Sequence, residues 1–509
     1  MGNSVDGSRK HLRLRWRAGL ALAAIVCSAQ AGSLQDAQKE LFAARYKNAA
    51  GLYAAALEAD QAEASAYCGW VRSLLNDHRS REAYAVAAEA IQKYPQTPGA
   101  QTAAGMAAFR RGEILEAGGY FRAALKLDSV YPGALSGLAA VERAVSRFKA
   151  ARDLLLRAYR ASPGDPELIV EHAGTLKGAE HIAALREALE ILDPDSEEAR
   201  RLHAHIADDL AIGERQLNRL TSPYIGSSIQ LFTIMNGASA VRGVGLRAQL
   251  NRRQTVRLLL DTGASGISLS PAMAARAGLE PLGGLSVEGG GIGDGRIPLA
   301  TRYLAAQLRI GGVAFADCPV TVFNGAQSAE YDGLIGADLF QAFLLTIDFP
   351  KLELSLAPRP DGPPAAFAEP MDAATQPGPG FHRLFRFRHL VALPTFTNGG
   401  RSTLFVVDSG TTRSLLDDSA GREFPAIAAA RGAVTGIRGG VNRVSIADRV
   451  SLEFAGFRRD NLSLPAISFE KWCDSLGVAF GGILGISELG QLALTIDYRE
   501  GAVRFERGK

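Results

Sequence analysis

Two stretches of this chain carry the same series of features at nearly the same spacing, so any fold must give both stretches matching surroundings. In the first, the apolar run Val256-Arg257-Leu258-Leu259-Leu260 ends in Asp261-Thr262-Gly263-Ala264-Ser265. In the second, Leu404-Phe405-Val406-Val407 ends in Asp408-Ser409-Gly410-Thr411-Thr412. Each run follows a turn signal, Asn251-Arg252-Arg253 or Asn398-Gly399-Gly400, that reads as a hairpin. The interval from Asp261 to the glycine of Leu334-Ile335-Gly336 nearly equals that from Asp408 to the glycine of Ile483-Leu484-Gly485. At one further common distance beyond each glycine lies an aspartate, in Thr346-Ile347-Asp348-Phe349 and Thr495-Ile496-Asp497-Tyr498. A single Asp-[Ser/Thr]-Gly is weak evidence, whereas two copies in register after apolar strands are not.

This duplicated pattern resembles the aspartic peptidase superfamily, in particular its retropepsin-like branch, over residues 240–356 and 383–506. The resemblance implies an all-β, two-lobed fold with one aspartate per lobe. Two close carboxylates share a proton because both cannot ionise, and together they supply the base and the acid that metal-free peptide hydrolysis needs. Asp261 and Asp408 are therefore the expected catalytic pair. Thr262 and Ser409 match positions whose hydroxyls cross-link the lobes, and Gly263 and Gly410 let the two loops approach without a Cβ between them. The family places a mobile flap where Gly289-Gly290-Gly291-Ile292-Gly293 and Gly436-Ile437-Arg438-Gly439-Gly440 stand, each starting at the same interval past its aspartate. Gly290, Gly291, Ile292, Gly293, Ile437, Arg438 and Gly439 are the expected substrate-covering residues. Neither flap holds the Tyr typical of pepsin-like members. Ala264 stands opposite Thr411, so the two aspartates are expected to sit in unequal surroundings. An alternative keeps the double lobe as a peptide-binding module that does not cut.

Glycine is nearly twice as dense in residues 223–509 as in 32–222, and the earlier segment is Ala- and Leu-rich with helical periodicity. Ala56-Leu57, Ala90-Ile91, Ala124-Leu125 and Ala158-Tyr159 recur with a 34-residue period, as do the small residues Gly69, Ala103 and Gly137. That period resembles the tetratricopeptide repeat, an α-solenoid of helix pairs whose small positions let helices pack closely. Such solenoids offer a concave surface to a peptide or protein partner. The expected organisation is multidomain, α followed by β: repeats over 32–222, one lobe over 223–356, a Pro-rich linker over 357–382 and a second lobe over 383–509.

The formal charge of +3 is concentrated at the start, where residues 1–31 hold five basic residues and one acidic one. An apolar run, Ala18–Cys27, and Ala29-Gln30-Ala31 follow, the pattern of a cleaved export signal. Without this segment the balance is 51 basic to 52 acidic residues, which gives no electrostatic case for nucleic acid. The run is too short for a stable membrane span. The expected location is periplasmic or secreted. Cys68, Cys318 and Cys473 read as buried or idle thiols in preference to a Cys318–Cys473 bridge. No His or Cys spacing suggests zinc and no phosphate-binding loop has its strand–helix context, so no metal or cofactor is expected.

Several other residues read as structural. Asp348 and Asp497 end strands, Asp417-Asp418 cap a helix, and Asp332 belongs to a local turn. His382 and His389 lack a nucleophile partner. The mature chain is expected to begin Gly32-Ser33-Leu34; N-terminal sequencing of the exported protein checks this, and retention of Met1 would refute it.

Overall fold

The computed structural model describes residues 34–58, 66–236, 240–288, 291–295, 299–323, 330–359, 377–427, 434–436 and 438–508. The expected export signal, most of the Pro-rich linker, and the flap residues Gly290 and Ile437 lie outside them.

The N-terminal region is a stack of antiparallel helix pairs: α1 (Leu34–Phe42) with α2 (Tyr46–Glu58), α3 (Ala66–Asn76) with α4 (Ser80–Lys93), α5 (Pro98–Arg110) with α6 (Ile114–Leu127), α7 (Pro132–Ala144) with α8 (Phe148–Ala161) and α9 (Pro166–Ala173) with α10 (Gly178–Ile191). A final helix, α11 (Glu197–Ile212), ends the stack. The repeat period shows in the helix starts. Pro98, Pro132 and Pro166 each open a helix, where the missing N–H costs nothing, and the Thr97 and Asp165 side chains cap two of these starts. The small residues on this period do pack helices closely, but between neighbouring pairs. A Cβ on Gly69 of α3 would overlap the Tyr53 ring of α2, and one on Gly137 of α7 would overlap the Phe121 ring of α6. Between them in the period stand Ala103 and Ala87, two small residues in one core cluster. The inner face is bridged by its own charges: Arg72 of α3 pairs with Asp165, at the start of α9, and with Glu167 at 2.7 Å.

The C-terminal region holds two mixed sheets, one per lobe, joined by a third. In each lobe the strand bearing the aspartate runs antiparallel to the strand before it, through a turn with consecutive positive φ angles: Asn251 and Arg252 in one lobe, Asn398 and Gly399 in the other. On its other side it runs parallel to the apolar-apolar-Gly strand. Gly336 stands beside Asp261, and Leu484 beside Val407. The third sheet has six strands drawn from both lobes. At its centre Leu344–Asp348 pairs antiparallel with Leu492–Asp497, so that Thr346 faces Thr495 with their hydroxyls 3.0 Å apart. Asp348 accepts the Lys351 N–H and Asp497 accepts those of Arg499 and Glu500, closing turns at the strand ends. Asp497 also pairs with Arg359 at 2.6 Å.

The solenoid and the second lobe share one apolar core. Along the strand Ser402–Val407, Phe405 and Val407 face the core common to the lobes, while Leu404 and Val406 face a cluster that includes Ile114, Phe121 and Leu138 of α6 and α7. In the first lobe the position equivalent to Leu404 is Arg257, whose side chain is 42% exposed. Polar contacts fix the junction. The Arg110 carbonyl accepts the Ala479 N–H at 2.8 Å, and the Arg110 guanidinium pairs with Asp474. The Arg110 and Asp474 side chains are only 8% and 16% exposed. The first lobe meets the solenoid at its other end, through α11 against the strand Glu280–Glu288 and Asp208 to Arg302 at 3.2 Å.

Cys68, Cys318 and Cys473 are free and buried, so no bridge joins Cys318 to Cys473. Burial pushes their thiols up, to about 11 for Cys68 and about 12 for the other two. No helix among the described residues is long and apolar enough to cross a membrane. Arg110→Ala leaves the largely buried Asp474 without its guanidinium, with only His78 at 3.7 Å beside it, and is expected to cost about 3 kcal/mol in urea unfolding; a change under about 0.5 kcal/mol would show that the pair does not hold the junction.

Candidate active site

The two Asp-containing loops meet where the lobes touch. Their hydroxyls form a reciprocal lock. Thr262 donates its hydroxyl to the Val407 carbonyl at 2.8 Å and accepts the Ser409 N–H at 2.9 Å. Ser409 donates its hydroxyl to the Leu260 carbonyl at 2.8 Å and accepts the Thr262 N–H at 3.0 Å. Both side chains are buried. Four hydrogen bonds thus satisfy two backbone N–H groups and two carbonyls that would otherwise face a dry interface unpaired.

The lock lays each carboxylate over the opposite loop. A Cβ on Gly263 would stand 2.7 Å from the Asp408 carboxyl carbon, and one on Gly410 would overlap the carboxylate of Asp261. Only glycine fits at either place. Each aspartate also accepts the N–H of the glycine two residues on, at 2.8 Å in both lobes. The symmetry ends there. Thr411 donates its hydroxyl to Asp408 at 2.7 Å, and Ala264 offers nothing equivalent to Asp261. Burial, and then the facing charge of Asp408, hold the Asp261 carboxyl well above the usual carboxylate range.

The two glycine-rich segments come together. The Arg438 N–H donates to the Ile292 carbonyl at 3.1 Å, and the Gly295 N–H to the Arg438 carbonyl at 2.8 Å. The Asn442 N–H donates to the Asp294 carboxylate at 2.6 Å. Gly293, Gly295 and Gly436 sit where a Cβ would run into the opposing backbone. Gly291 belongs to the same segment, and Gly439 pairs with Gly436 in a two-residue hairpin. Each lobe therefore contributes one glycine-rich segment to this contact, at the position where the resemblance expects a cover.

Some residues lie elsewhere than their sequence context suggests. Asp332 sits at a bend before the strand Gly333–Gly336, and its carboxylate does more than serve that bend: it accepts the Arg257 N–H at 2.7 Å and so helps fix the register of the strand bearing Asp261. Asp417 caps the short helix Asp418–Gly421 and also accepts the Phe469 N–H at 2.9 Å. His389, next to the linker in sequence, reaches the site: its Nε2 lies 3.2 Å from the Gly263 carbonyl. Arg242, absent from any motif, donates to the Thr412 hydroxyl at 3.2 Å. A shared offset could have found both, since Arg242 stands as far before Asp261 as His389 does before Asp408.

Residues 246–339 match the family model described as Aspartyl protease, so the first lobe carries an aspartyl protease domain. No curated protein matches the chain. Among solved structures, an aspartic proteinase from Irpex lacteus is 13% identical with a TM-score of 0.36, covering 56% of this chain and 98% of its own. Cut9-Hcn1, an APC/C hetero-tetramer, is 17% identical with a TM-score of 0.27, covering 40% of this chain and 46% of that one. Scores this low carry no inference about this protein.

Thr262→Val keeps the shape but removes the hydroxyl that serves Val407 and Ser409. It is expected to lower stability by about 3 kcal/mol in chemical denaturation; a loss under about 0.5 kcal/mol would mean the lock is not what joins the loops.

Proposed function

We propose that this protein is an exported aspartic endopeptidase that cleaves peptide bonds with a water activated between Asp261 and Asp408. The observation that carries the reading is the reciprocal lock of Thr262 and Ser409, which lays each carboxylate on the opposite loop's glycine. Such a pair binds one proton between its members. Asp408 accepts from Thr411 and Gly410, donors that favour its ionised form, so it serves as the base that takes a proton from water. Asp261, held protonated by burial and by the neighbouring charge, polarises the substrate carbonyl and passes its proton to that oxygen as water adds, while Asp408 takes a proton from the water. The product is a tetrahedral diol. Its collapse breaks the C–N bond: Asp408 delivers the proton it took to the amine nitrogen, and one diol hydroxyl returns its proton to Asp261. The opposed covers exclude bulk water while this happens. No step in this scheme calls on a cofactor.

In this reading the solenoid is first a scaffold for the second lobe. Recruitment of a partner or substrate is assigned to its outer faces, because Arg72, Asp165 and Glu167 already bridge the inner one. Export is supported by the basic and apolar composition of residues 1–31.

Incubation with a denatured protein tests the proposal. Asp261→Asn and Asp408→Asn are each expected to lower cleavage by about 10²–10⁴-fold or more while leaving the fold intact, and a transition-state-mimicking aspartic peptidase inhibitor is expected to block the wild type. The pH dependence has a definite sign. Activity falls as pH rises through the raised pKa of Asp261, which must stay protonated. Full activity in either Asn variant would refute the assignment.

A further inference from the structure

Two side chains stand at corresponding points of the cleft, Arg242 in the strand Ala240–Leu250 and His389 in the turn that leads into the strand Leu390–Thr397. Gly245 pairs with Leu259, two residues before Asp261, and Ala392 pairs with Val406, two residues before Asp408. Three residues before Gly245 is Arg242, and three before Ala392 is His389. Each crosses to the opposite loop, Arg242 to Thr412 and His389 to Gly263. The positions correspond, but the chemistry differs.

His389 faces a backbone carbonyl, and burial favours its neutral form. It satisfies its contact without a fixed charge. Arg242 keeps its charge, and its one hydrogen bond among the described residues goes to a neutral hydroxyl. A guanidinium has five N–H donors in a fork that matches a carboxylate, so most of its capacity is unused. No described carboxylate pairs with it. Its side chain is nevertheless at the reacting centre. Its charge acts on Asp261, and the adjacent Gly243 is so close to the Ser409 carbonyl that a Cβ there would stand 3.2 Å away. The residue is half-buried, and Val241 beside it is 43% exposed, so this wall of the cleft opens to solvent.

Resting on the peptidase reading, we propose that Arg242 forms a carboxylate-binding subsite at the Thr412 end of the cleft, and that with no charge at the His389 end the enzyme prefers substrates acidic on one side of the scissile bond only. A peptide bound across the pair brings its side chains alternately toward one lobe or the other. One that passes Thr412 meets an arginine able to take a carboxylate bidentately, and the mirror position meets a neutral imidazole.

The test uses the full chain and quenched fluorescent peptides in which Glu, Gln or Lys replaces one residue at a time on either side of the cleaved bond. Companion peptides that end near the site with a free or amidated C-terminus distinguish a side-chain carboxylate from a terminal one. Wild type is expected to favour Glu over Gln about tenfold in kcat/KM at one position, or at neighbouring positions of the same side. Arg242→Met is expected to bring that ratio to about one, Arg242→Lys to keep part of it, and Arg242→Glu to shift preference toward Lys. Comparing each variant's ratio separates selectivity from any loss of folded enzyme. If wild type cleaves peptides with no acidic preference, or if Arg242→Met keeps the preference and only moves the pH profile, the subsite is refuted and Arg242 acts on the pair electrostatically alone. If wild type cleaves nothing, it is the peptidase reading that fails.

Discussion

The exchange of hydrogen bonds between Thr262 and Ser409 is the constraint on which the site depends. Both hydroxyls are buried, and each serves a carbonyl and an N–H of the other lobe. The loops can satisfy their backbone only in each other's presence. That requirement sets the approach of the lobes, and the approach demands Gly263 and Gly410. With the glycines in place, two carboxylates are brought together under burial, which is what raises the proton affinity of Asp261. The central pairing of Leu344–Asp348 with Leu492–Asp497 supports the same approach from below, with Thr346 against Thr495 on the axis that relates the lobes.

Much of this was legible in the sequence because it was written twice. The Asp loops, the hairpin turns before them and the apolar-apolar-Gly strands beside them each recur, and the spacing of one copy checks that of the other. The period of the helical repeats was equally open to reading, since proline at a helix start and a small residue at a crossing have simple local causes. What these small residues touch was not legible. Gly137 takes the Phe121 ring from the preceding pair, and a period alone does not say which neighbour fills the space.

The sequence hid what depends on only one of the copies. Arg257 and Leu404 occupy the same place in their strands, and the change from a charged to an apolar residue is the trace of α6 and α7 packing on that face of the second lobe. Read singly, Leu404 is just part of an apolar run. Arg242 escaped notice, and His389 was set aside, for a related reason: they share an offset from the aspartates but no residue type, so aligning the motifs does not relate them. Asp332 looked like a turn because it precedes a glycine, yet its partner is the Arg257 N–H, on a strand far earlier in the chain.

The solenoid touches both lobes at separate points along its length. The middle helices are fused to the second lobe through a common core and Arg110, whereas α11 reaches the first lobe through Asp208 and Arg302. Mechanically this is a curved beam pinned at two places to the jaws of a clamp. Its bend is held in turn by the bridge from Arg72 to Asp165 and Glu167 across the inside of the curve. The two lobes are therefore anchored to a single stack of helices, and the spacing of their anchors is set by the helices between.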